Sequence, residues 1–254
     1  MKERILDFYR MTLPSPHADL IAGMVLGAKS SLSKAFWEAL KTTGTAHVVV
    51  ASGMNVTLVA GFLLNFLISI VSRKIAVILT IVGIWIYVVL VGFEAPIIRA
   101  AIMGTVAFSA QGLGKMYSAW RALILSALVM LVYQPAWITD LSFILSFVAT
   151  ASLMLFEVKI RRLIYFVPGL FREGLSTSLS AQIGVAPILY IAFGQFNIFS
   201  PLINAAVLWT VAPITIIGFI SGFVGLVVPF VGKLVLYLAY PLTSWFIWVV
   251  GFTS

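Results

Sequence analysis

One stretch of this sequence limits what the chain can fold into more than any other: from Gly174 to Gly232, 59 consecutive residues carry no charged side chain. Charged residues make up 9% of the 254-residue chain and hydrophobic residues 62%, whereas ordinary soluble domains are roughly 25% charged. So few polar residues cannot cover a water-soluble body of this size. The sequence therefore predicts an all-α, polytopic transmembrane helix bundle.

Eight candidate crossings follow when the apolar stretches are cut at charges and at Pro or Gly turns, because a bilayer core of about 30 Å needs about 20 residues of helix. They are predicted at 46–71, 75–93, 95–114, 117–134, 138–156, 175–194, 201–228 and 233–251. A turn near Asn197, Ser200 and Pro201 separates the sixth from the seventh. The seventh contains prolines and is either a kinked span or a re-entrant segment, so we predict seven or eight spans.

The N-terminal region has a different composition, since residues 1–45 hold 10 of the 24 charged residues. Within it, one helical stripe is apolar or weakly polar: Phe36, Ala39, Leu40 and Thr43. Ser33 is in position to cap this helix, and Gly44 follows its end. We therefore predict an interfacial, amphipathic region at 1–45 and a transmembrane domain at 46–254.

Basic residues are distributed unevenly among the predicted loops. If each segment crosses once, the loops after the first, third, fifth and seventh hold nine of them: Arg73, Lys74, Lys115, Arg121, Lys159, Arg161, Arg162, Arg172 and Lys233. The opposite loops hold none, unless Arg99 just inside the third segment is counted. Because Lys and Arg collect on cytoplasmic loops, this pattern predicts a cytoplasmic location for the nine-residue side and places both termini outside.

The first predicted crossing opens with a polar half that lipid would not tolerate. It includes His47, Ser52, Gly53 and Asn55. These residues either pack one helix against another or mark a helix broken at Ser52 and Gly53, whose freed backbone lines a water-filled path. An intramembrane serine protease is disfavoured, because His47 and Ser52 are five residues apart and point about 140° from each other around a helix.

Later crossings also contain ionisable and amide side chains. Arg99 either pairs with Glu94 at the interface or faces the path of an anionic substrate. Asp140 either caps the fifth segment or faces a pore. Gln182 and Asn204 are predicted to line a kinked, polar bundle interior.

Several kinds of chemistry are disfavoured by what the sequence contains. The chain has no cysteine and two histidines, which disfavours a thiolate or multi-histidine metal site. It has no glycine-rich phosphate loop ending in Gly-Lys-Ser/Thr, so it is not expected to hydrolyse ATP itself. We therefore predict neither a cofactor nor a metal.

Three blocks of the sequence resemble the membrane competence domain of ComEC-type DNA-uptake channels. The first runs from Gly44-Thr45-Ala46-His47 to Ala51-Ser52-Gly53-Met54-Asn55-Val56, the second from Gly92 through Pro96 to Ile98-Arg99-Ala100-Ala101-Ile102-Met103, and the third from Gln134-Pro135 to Asp140-Leu141-Ser142-Phe143-Ile144-Leu145-Ser146-Phe147. Pro187 and the turn from Phe196 to Pro201 are also placed as in that family, and the blocks cover about residues 20–250. Two positions differ, since many members have histidine at Asn55 and glutamine at Ile144.

The resemblance implies a channel, without enzymatic activity, that passes single-stranded DNA across the cytoplasmic membrane in natural transformation. Together with the polar residues above, it gives this predicted path: His47, Ser52, Gly53, Asn55, Glu94, Arg99, Asp140, Ser142, Ser146, Gln182 and Asn204. A basic cytoplasmic loop would draw the emerging strand inward: Lys159, Arg161, Arg162 and Arg172. Implied partners are membrane lipid, a cytoplasmic helicase or translocase, and an external DNA receptor or pilus. Larger members also carry an OB-fold domain and a nuclease domain, neither of which is present in this sequence.

Two other functions fit the residues taken alone. One is a secondary transporter of a small anion, coupled through Glu94 or Asp140 with Arg99 at the substrate. The other is a structural membrane anchor of an uptake or secretion assembly, with no path of its own.

Overall fold

The computed structural model describes residues 1–50, 52–193 and 197–253, and of Leu170 and Phe193 it describes only the backbone. Helices dominate these residues and none of them lies in a strand, which confirms the predicted all-α class. Three positions named above lie outside the described residues: Ala51 of the first block, Gly194 at the end of the sixth segment, and Phe196 of the predicted turn.

Thirteen α-helices occur in the described chain. The N-terminal part contains α1 (Lys2–Thr12), α2 (His17–Leu26), α3 (Lys34–Thr42) and α4 (Ala46–Val49). The rest contains α5 (Gly53–Ile68), α6 (Arg73–Val91), α7 (Ala95–Gly112), α8 (Ala119–Tyr133), α9 (Leu141–Leu163), α10 (Gly169–Phe193), α11 (Ser200–Val227), α12 (Pro229–Tyr237) and α13 (Tyr240–Thr253).

Each predicted crossing coincides with helical structure, but fewer helices are long and apolar enough to span a membrane. Among the described residues, five meet both conditions: the segment formed by α4 and α5, and helices α6, α9, α10 and α11. The pair α12 and α13, bent by 45°, is a sixth if it forms one span. With 15 residues, α8 is only about 22 Å long at 1.5 Å per residue, short of a core of about 30 Å. The chain is a multi-pass membrane protein with five or six spans by these criteria.

The largest hydrophobic core joins α1 and α2 to α11 and α13. Nine of the ten residues of α2 are buried. The Tyr9 hydroxyl of α1 donates a hydrogen bond of 2.8 Å to the Gly218 carbonyl of α11. Glycines allow this approach, since a Cβ atom on Gly222 would lie 2.6 Å from the Tyr9 hydroxyl, and one on Gly225 would lie 2.4 Å from the Phe8 ring. Residues 1–26 therefore share a core with the membrane helices, and the interfacial location of the N-terminal region stays a prediction.

Helix α3 has the ends and the buried stripe that the sequence predicts. The Ser33 side chain accepts a hydrogen bond from the Phe36 amide at 3.3 Å, as an N-cap does. Leu40 and Thr43 are fully buried on one side of the helix. Gly44 follows with a φ of 74°, a left-handed conformation that favours glycine.

A second core is formed by α5, α6 and α7, together with Met130 of α8 and Phe143 in the first turn of α9. Two lysines of the N-terminal region hold the connection between α6 and α7. The Lys2 ammonium donates to the Val91 carbonyl at 3.2 Å, and the Lys29 ammonium pairs with the Glu94 carboxylate at 2.9 Å. The N-terminal region thus lies at the end of the bundle where α7 begins.

Candidate functional site

The first predicted crossing is a broken helix. Helix α4 ends at Val49, the backbone is extended at Val50 and again at Ser52, and α5 begins at Gly53. Ser52 is the N-cap residue of α5, but its hydroxyl makes no capping hydrogen bond. The structure therefore contains a helix break that ends at Ser52, immediately before Gly53. That its freed backbone lines a water-filled path stays a prediction.

Arg99 of α7 lies directly against this break. A Cβ atom built on Gly53 would lie 3.0 Å from the Arg99 Nη2 atom and 3.2 Å from the Ala100 Cβ atom. Gly53 thus leaves just enough room for the guanidinium group. The first turns of α5 and α7 meet at this point.

Arg99 also contacts α9. Its Nη1 atom donates a hydrogen bond to the Ser146 carbonyl, and its guanidinium carbon lies 5.8 Å from the centre of the Phe147 ring, within cation–π range. Because the Glu94 carboxylate pairs with Lys29, the alternative of a Glu94–Arg99 pair is wrong. Arg99 instead joins three helices through contacts that leave its charge without a carboxylate partner among the described residues.

Each of the helices α5, α7 and α9 carries a buried polar side-chain atom without a hydrogen-bond partner. These atoms are the Arg99 Nε atom, the Ser146 hydroxyl and the Asn55 side-chain oxygen. The Asn55 amide nitrogen does have a partner, since it donates to the Met24 carbonyl at 2.7 Å. A buried polar group without a partner costs about 1–3 kcal/mol, so water or a polar ligand bound here would lower the free energy of the site.

Three other predicted path residues are exposed or have hydrogen-bond partners within their own segment. The Asp140 carboxylate accepts a hydrogen bond from the Ser142 amide at 2.9 Å, which confirms the N-cap alternative for Asp140. The Ser142 side chain itself is exposed. His47 is also exposed, and its Nδ1 atom lies 2.9 Å from the Gly44 carbonyl of its own segment. The placement of these residues along a path stays a prediction.

Gln182 and Asn204 belong to a second polar group at the start of α11. The Gln182 amide donates to the Asn197 carbonyl at 3.3 Å, and the Asn197 amide donates to the Thr42 carbonyl at 2.7 Å. The Asn204 amide donates to the Ser200 hydroxyl at 3.3 Å, while its oxygen is buried without a partner. This group connects α10, α11 and the end of α3, and a turn precedes α11 as predicted.

Sequence reasoning missed the hydroxyl residues in the first half of α10. These are Ser176, Thr177, Ser178 and Ser180. Ser176 and Ser180 are fully buried and donate to carbonyls of their own helix, whereas Thr177 and Ser178 are partly accessible. The signal was visible in the sequence, because four hydroxyl residues within five positions are unusual in an apolar crossing.

The basic residues assigned to the cytoplasmic loop are brought only partly together. Arg161, Arg162 and Arg172 line one open cleft between the end of α9 and the start of α10, and exposed Lys159 is not among its lining residues. Within the described chain, no group of three or more His, Asp or Glu residues is arranged to hold a metal ion.

Comparison with known proteins identifies the family. The sequence model of the family described as Competence protein matches residues 24–254. The chain belongs to the Competence family. It is 28% identical over 210 residues to ComE operon protein 3 of Bacillus subtilis (strain 168), and the aligned region covers 80% of this chain and 26% of that protein. It is 25% identical over 222 residues to Competence protein ComA of Neisseria gonorrhoeae, and the aligned region covers 80% of this chain and 30% of that protein.

The chain therefore spans less than a third of the length of either relative. No solved structure matches it. The three resembling blocks contain Gly53, Arg99 and Ser146, the residues that meet at the helix break.

Proposed function

We propose that this chain forms the membrane part of a path that passes single-stranded DNA across the cytoplasmic membrane in natural transformation. Membership in the Competence family and two relatives named for competence support the proposal. The observation that carries it is Arg99, an arginine inside the helix bundle that touches a broken helix and whose Nε atom is buried without a hydrogen-bond partner.

This arrangement suits a polyanion in transit. Phosphate charges left in hydrocarbon are prohibitively costly, so the path has to hold water and polar groups. A broken helix is tolerated at membrane depth where its freed backbone faces such a cavity. One cation, rather than a row of them, attracts each phosphate without holding the strand.

The proposal assigns the path to two polar groups. The first is formed by Gly53, Asn55, Arg99 and Ser146, with Ser52 at the break. The second is formed by Gln182, Asn197 and Asn204. His47, Glu94, Asp140 and Ser142 are placed at the entrances, where they are exposed or have partners of their own.

The relatives are longer than this chain, so further parts belong to the proposal. We place both termini outside the cell and assign no enzymatic activity to these residues. OB-fold and nuclease domains would come from the remainder of a longer chain or from separate proteins. An external DNA receptor or pilus would deliver DNA, and a cytoplasmic helicase or translocase would supply the driving force.

The test is entry of labelled DNA into a DNase-protected compartment in cells that lack the gene and carry a plasmid copy. Wild type is expected to restore entry, and Arg99→Ala to reduce it at least 100-fold at equal protein level. Arg121→Ala is the matched control, because Arg121 is an exposed arginine at the start of α8. Entry of DNA into cells that carry Arg121→Ala should equal entry into cells that carry wild type.

Other outcomes assign other functions. If cells that lack the gene still take up DNA, the DNA path is wrong. A pH-dependent flux of a small anion, abolished by Asp140→Asn, would then establish the secondary transporter. Loss of entry on deletion, with full activity of Arg99→Ala and of variants in the second polar group, would instead favour a structural anchor.

A further inference from the structure

The cleft between the C-terminal end of α9 and the start of α10 brings three arginine residues together. It has a volume of about 370 Å³, within the roughly 300–1,000 Å³ of small-ligand sites. Its lining consists of Glu157, Val158, Arg161, Arg162, Tyr165 and Arg172. Three arginines in one concave surface are suited to anions.

Arg172 has a structural role in this cleft. Its Nε atom donates to the Val167 carbonyl at 2.8 Å, and its Nη2 atom donates to the Tyr165 carbonyl at 2.5 Å. These two bonds tie the start of α10 to the turn that follows α9. The guanidinium group of Arg172 therefore builds the wall of the cleft and is largely occupied by backbone.

Arg161 and Arg162 are differently placed. Both are exposed in the last turn of α9, and in the described chain neither side chain forms an ion pair or a hydrogen bond. Their charge favours the C-terminal end of α9 through the helix dipole, as basic residues there generally do. Guanidinium groups also bind phosphate with two parallel hydrogen bonds, and here two of them stand free in one cleft.

Tyr165 adds an aromatic surface beside these arginines. Its side chain is 73% exposed, and its ring meets the Phe166 ring edge-on at 6.2 Å. Single-stranded nucleic acids are bound where cations contact the backbone and aromatic rings stack on bases. Exposed aromatic rings also occur in the interfacial belt of membrane proteins, but a belt position does not require free arginines in a concave site.

We infer that Arg161, Arg162 and Tyr165 form a receiving site for single-stranded nucleic acid, in which the two guanidinium groups bind phosphates and the Tyr165 ring stacks on a base. This inference rests on the proposed function and on the predicted cytoplasmic location of this end of the bundle. The Glu157 carboxylate in the same cleft repels phosphate, which keeps the strand from being held too tightly. The site takes up each emerging segment and releases it.

The first test is binding of a short labelled oligothymidylate to the purified chain in phosphatidylcholine nanodiscs, measured by fluorescence anisotropy. The double variant Arg161→Gln/Arg162→Gln is expected to raise the Kd on the order of tenfold or more. Each lost phosphate contact lowers the slope of log K against log salt by about 0.7, so the slope should fall by about 1.4. Arg73→Gln/Lys74→Gln is the matched control, since it removes the same charge from an exposed pair at the start of α6.

The second test separates stacking from charge. Tyr165→Leu should weaken binding of the single strand on the order of tenfold, and Tyr165→Phe should leave it near the wild-type value. Binding of duplex DNA, whose bases are paired, should not depend on the ring. Tyr133→Leu is the control, because Tyr133 is an exposed tyrosine at the end of α8.

Two results would overturn the inference. One is equal Kd values for the Arg161/Arg162 variant and its Arg73/Lys74 control. The other is a wild-type chain that binds vesicles containing phosphatidylglycerol through Arg161 and Arg162 but does not bind oligothymidylate, which would identify a lipid headgroup site. DNA entry in cells lacking the gene tests the proposed function separately, so failure of the path and failure of this site are distinguishable.

Discussion

Helices α2 and α9 show how differently two regions of this molecule are packed. Nine of the ten residues of α2 are buried, whereas the 23 residues of α9 include two buried ones, Phe143 and Ser152. The core around α2 contains large apolar side chains and glycine contacts with α11. Helix α9, by contrast, carries the Ser146 and Phe147 contacts to Arg99 in its first half, and its last turns line the basic cleft.

The bundle therefore contains one densely packed region and one region that is less buried. Close packing in the region of α1, α2, α11 and α13 resists movement, since protein interiors lose stability when even a methylene group is added or removed. Helices α9 and α10 also pack on each other, since a Cβ atom on Gly184 would lie 2.9 Å from the Val148 side chain, but this chain covers little of their remaining surface. We therefore call the first region the scaffold.

A substitution where α12 packs against the scaffold should have the largest effect on stability. A Cβ atom on Gly232 would lie 2.4 Å from the Gly225 Cα atom, so Gly232→Ala forces two backbone segments apart. We expect it to lower the free energy of unfolding by about 3 kcal/mol, measured by unfolding in detergent. Gly61→Ala is the control, because no atom lies within 4 Å of a Cβ atom there. If both variants unfold alike, the scaffold is not densely packed.

The bond between Asn55 and Met24 links the scaffold to the path. Met24 lies in the last turn of α2, where carbonyl groups lack helical partners, and the Asn55 amide donates to it at 2.7 Å. Asn55→Ala should cost about 1–2 kcal/mol of stability, because it leaves this carbonyl without a partner. Asn65→Ala is the control, since Asn65 is exposed and donates to its own helix. Equal unfolding midpoints for the two variants would contradict the link.

A substitution at the helix break should separate stability from transport. In Gly53→Ala, the new methyl group would lie 3.0 Å from the Arg99 Nη2 atom, so the guanidinium group has to shift by a few tenths of an ångström. We expect a stability loss of about 1 kcal/mol and a larger proportional loss of DNA entry, on the order of tenfold. DNA entry at the wild-type level would show that the position of Arg99 is not critical.

The Lys29–Glu94 pair should have the smallest effect. Its side chains are 46% and 45% exposed, and exposed ion pairs contribute about 0–1 kcal/mol. A double-mutant cycle with Lys29→Ala and Glu94→Ala should give a coupling energy below about 1 kcal/mol that decreases as salt is added. A salt-independent coupling of several kcal/mol would place this pair in the scaffold instead.

The features that sequence predicts well are those set by neighbouring residues. Ser33 and Asp140 cap helices through hydrogen bonds to amides two or three positions away, and the helix break at Ser52 and Gly53 is likewise local. These contacts follow from residue type and spacing. A Ser or Asp residue immediately before a helix commonly makes such a bond, although Ser52 before α5 makes none.

The features that sequence did not predict depend on distant packing. Glu94 pairs with Lys29, 65 positions away, instead of Arg99, which is five positions along the chain. Asn55 finds its partner 31 positions away. The burial of α2 follows from the glycines of α11, and no pattern within α2 itself distinguishes burial against protein from burial in lipid.

The contact of α1 and α2 with α11 has a consequence for dividing the chain. Gly218, Gly222 and Gly225 form a groove that is filled by side chains from the first 26 residues. A shortened chain that begins at residue 27 would leave this groove open to lipid or to another helix. A separately synthesised peptide of residues 1–26 would carry the side chains that fit the groove, so we expect the protein to assemble from these two pieces.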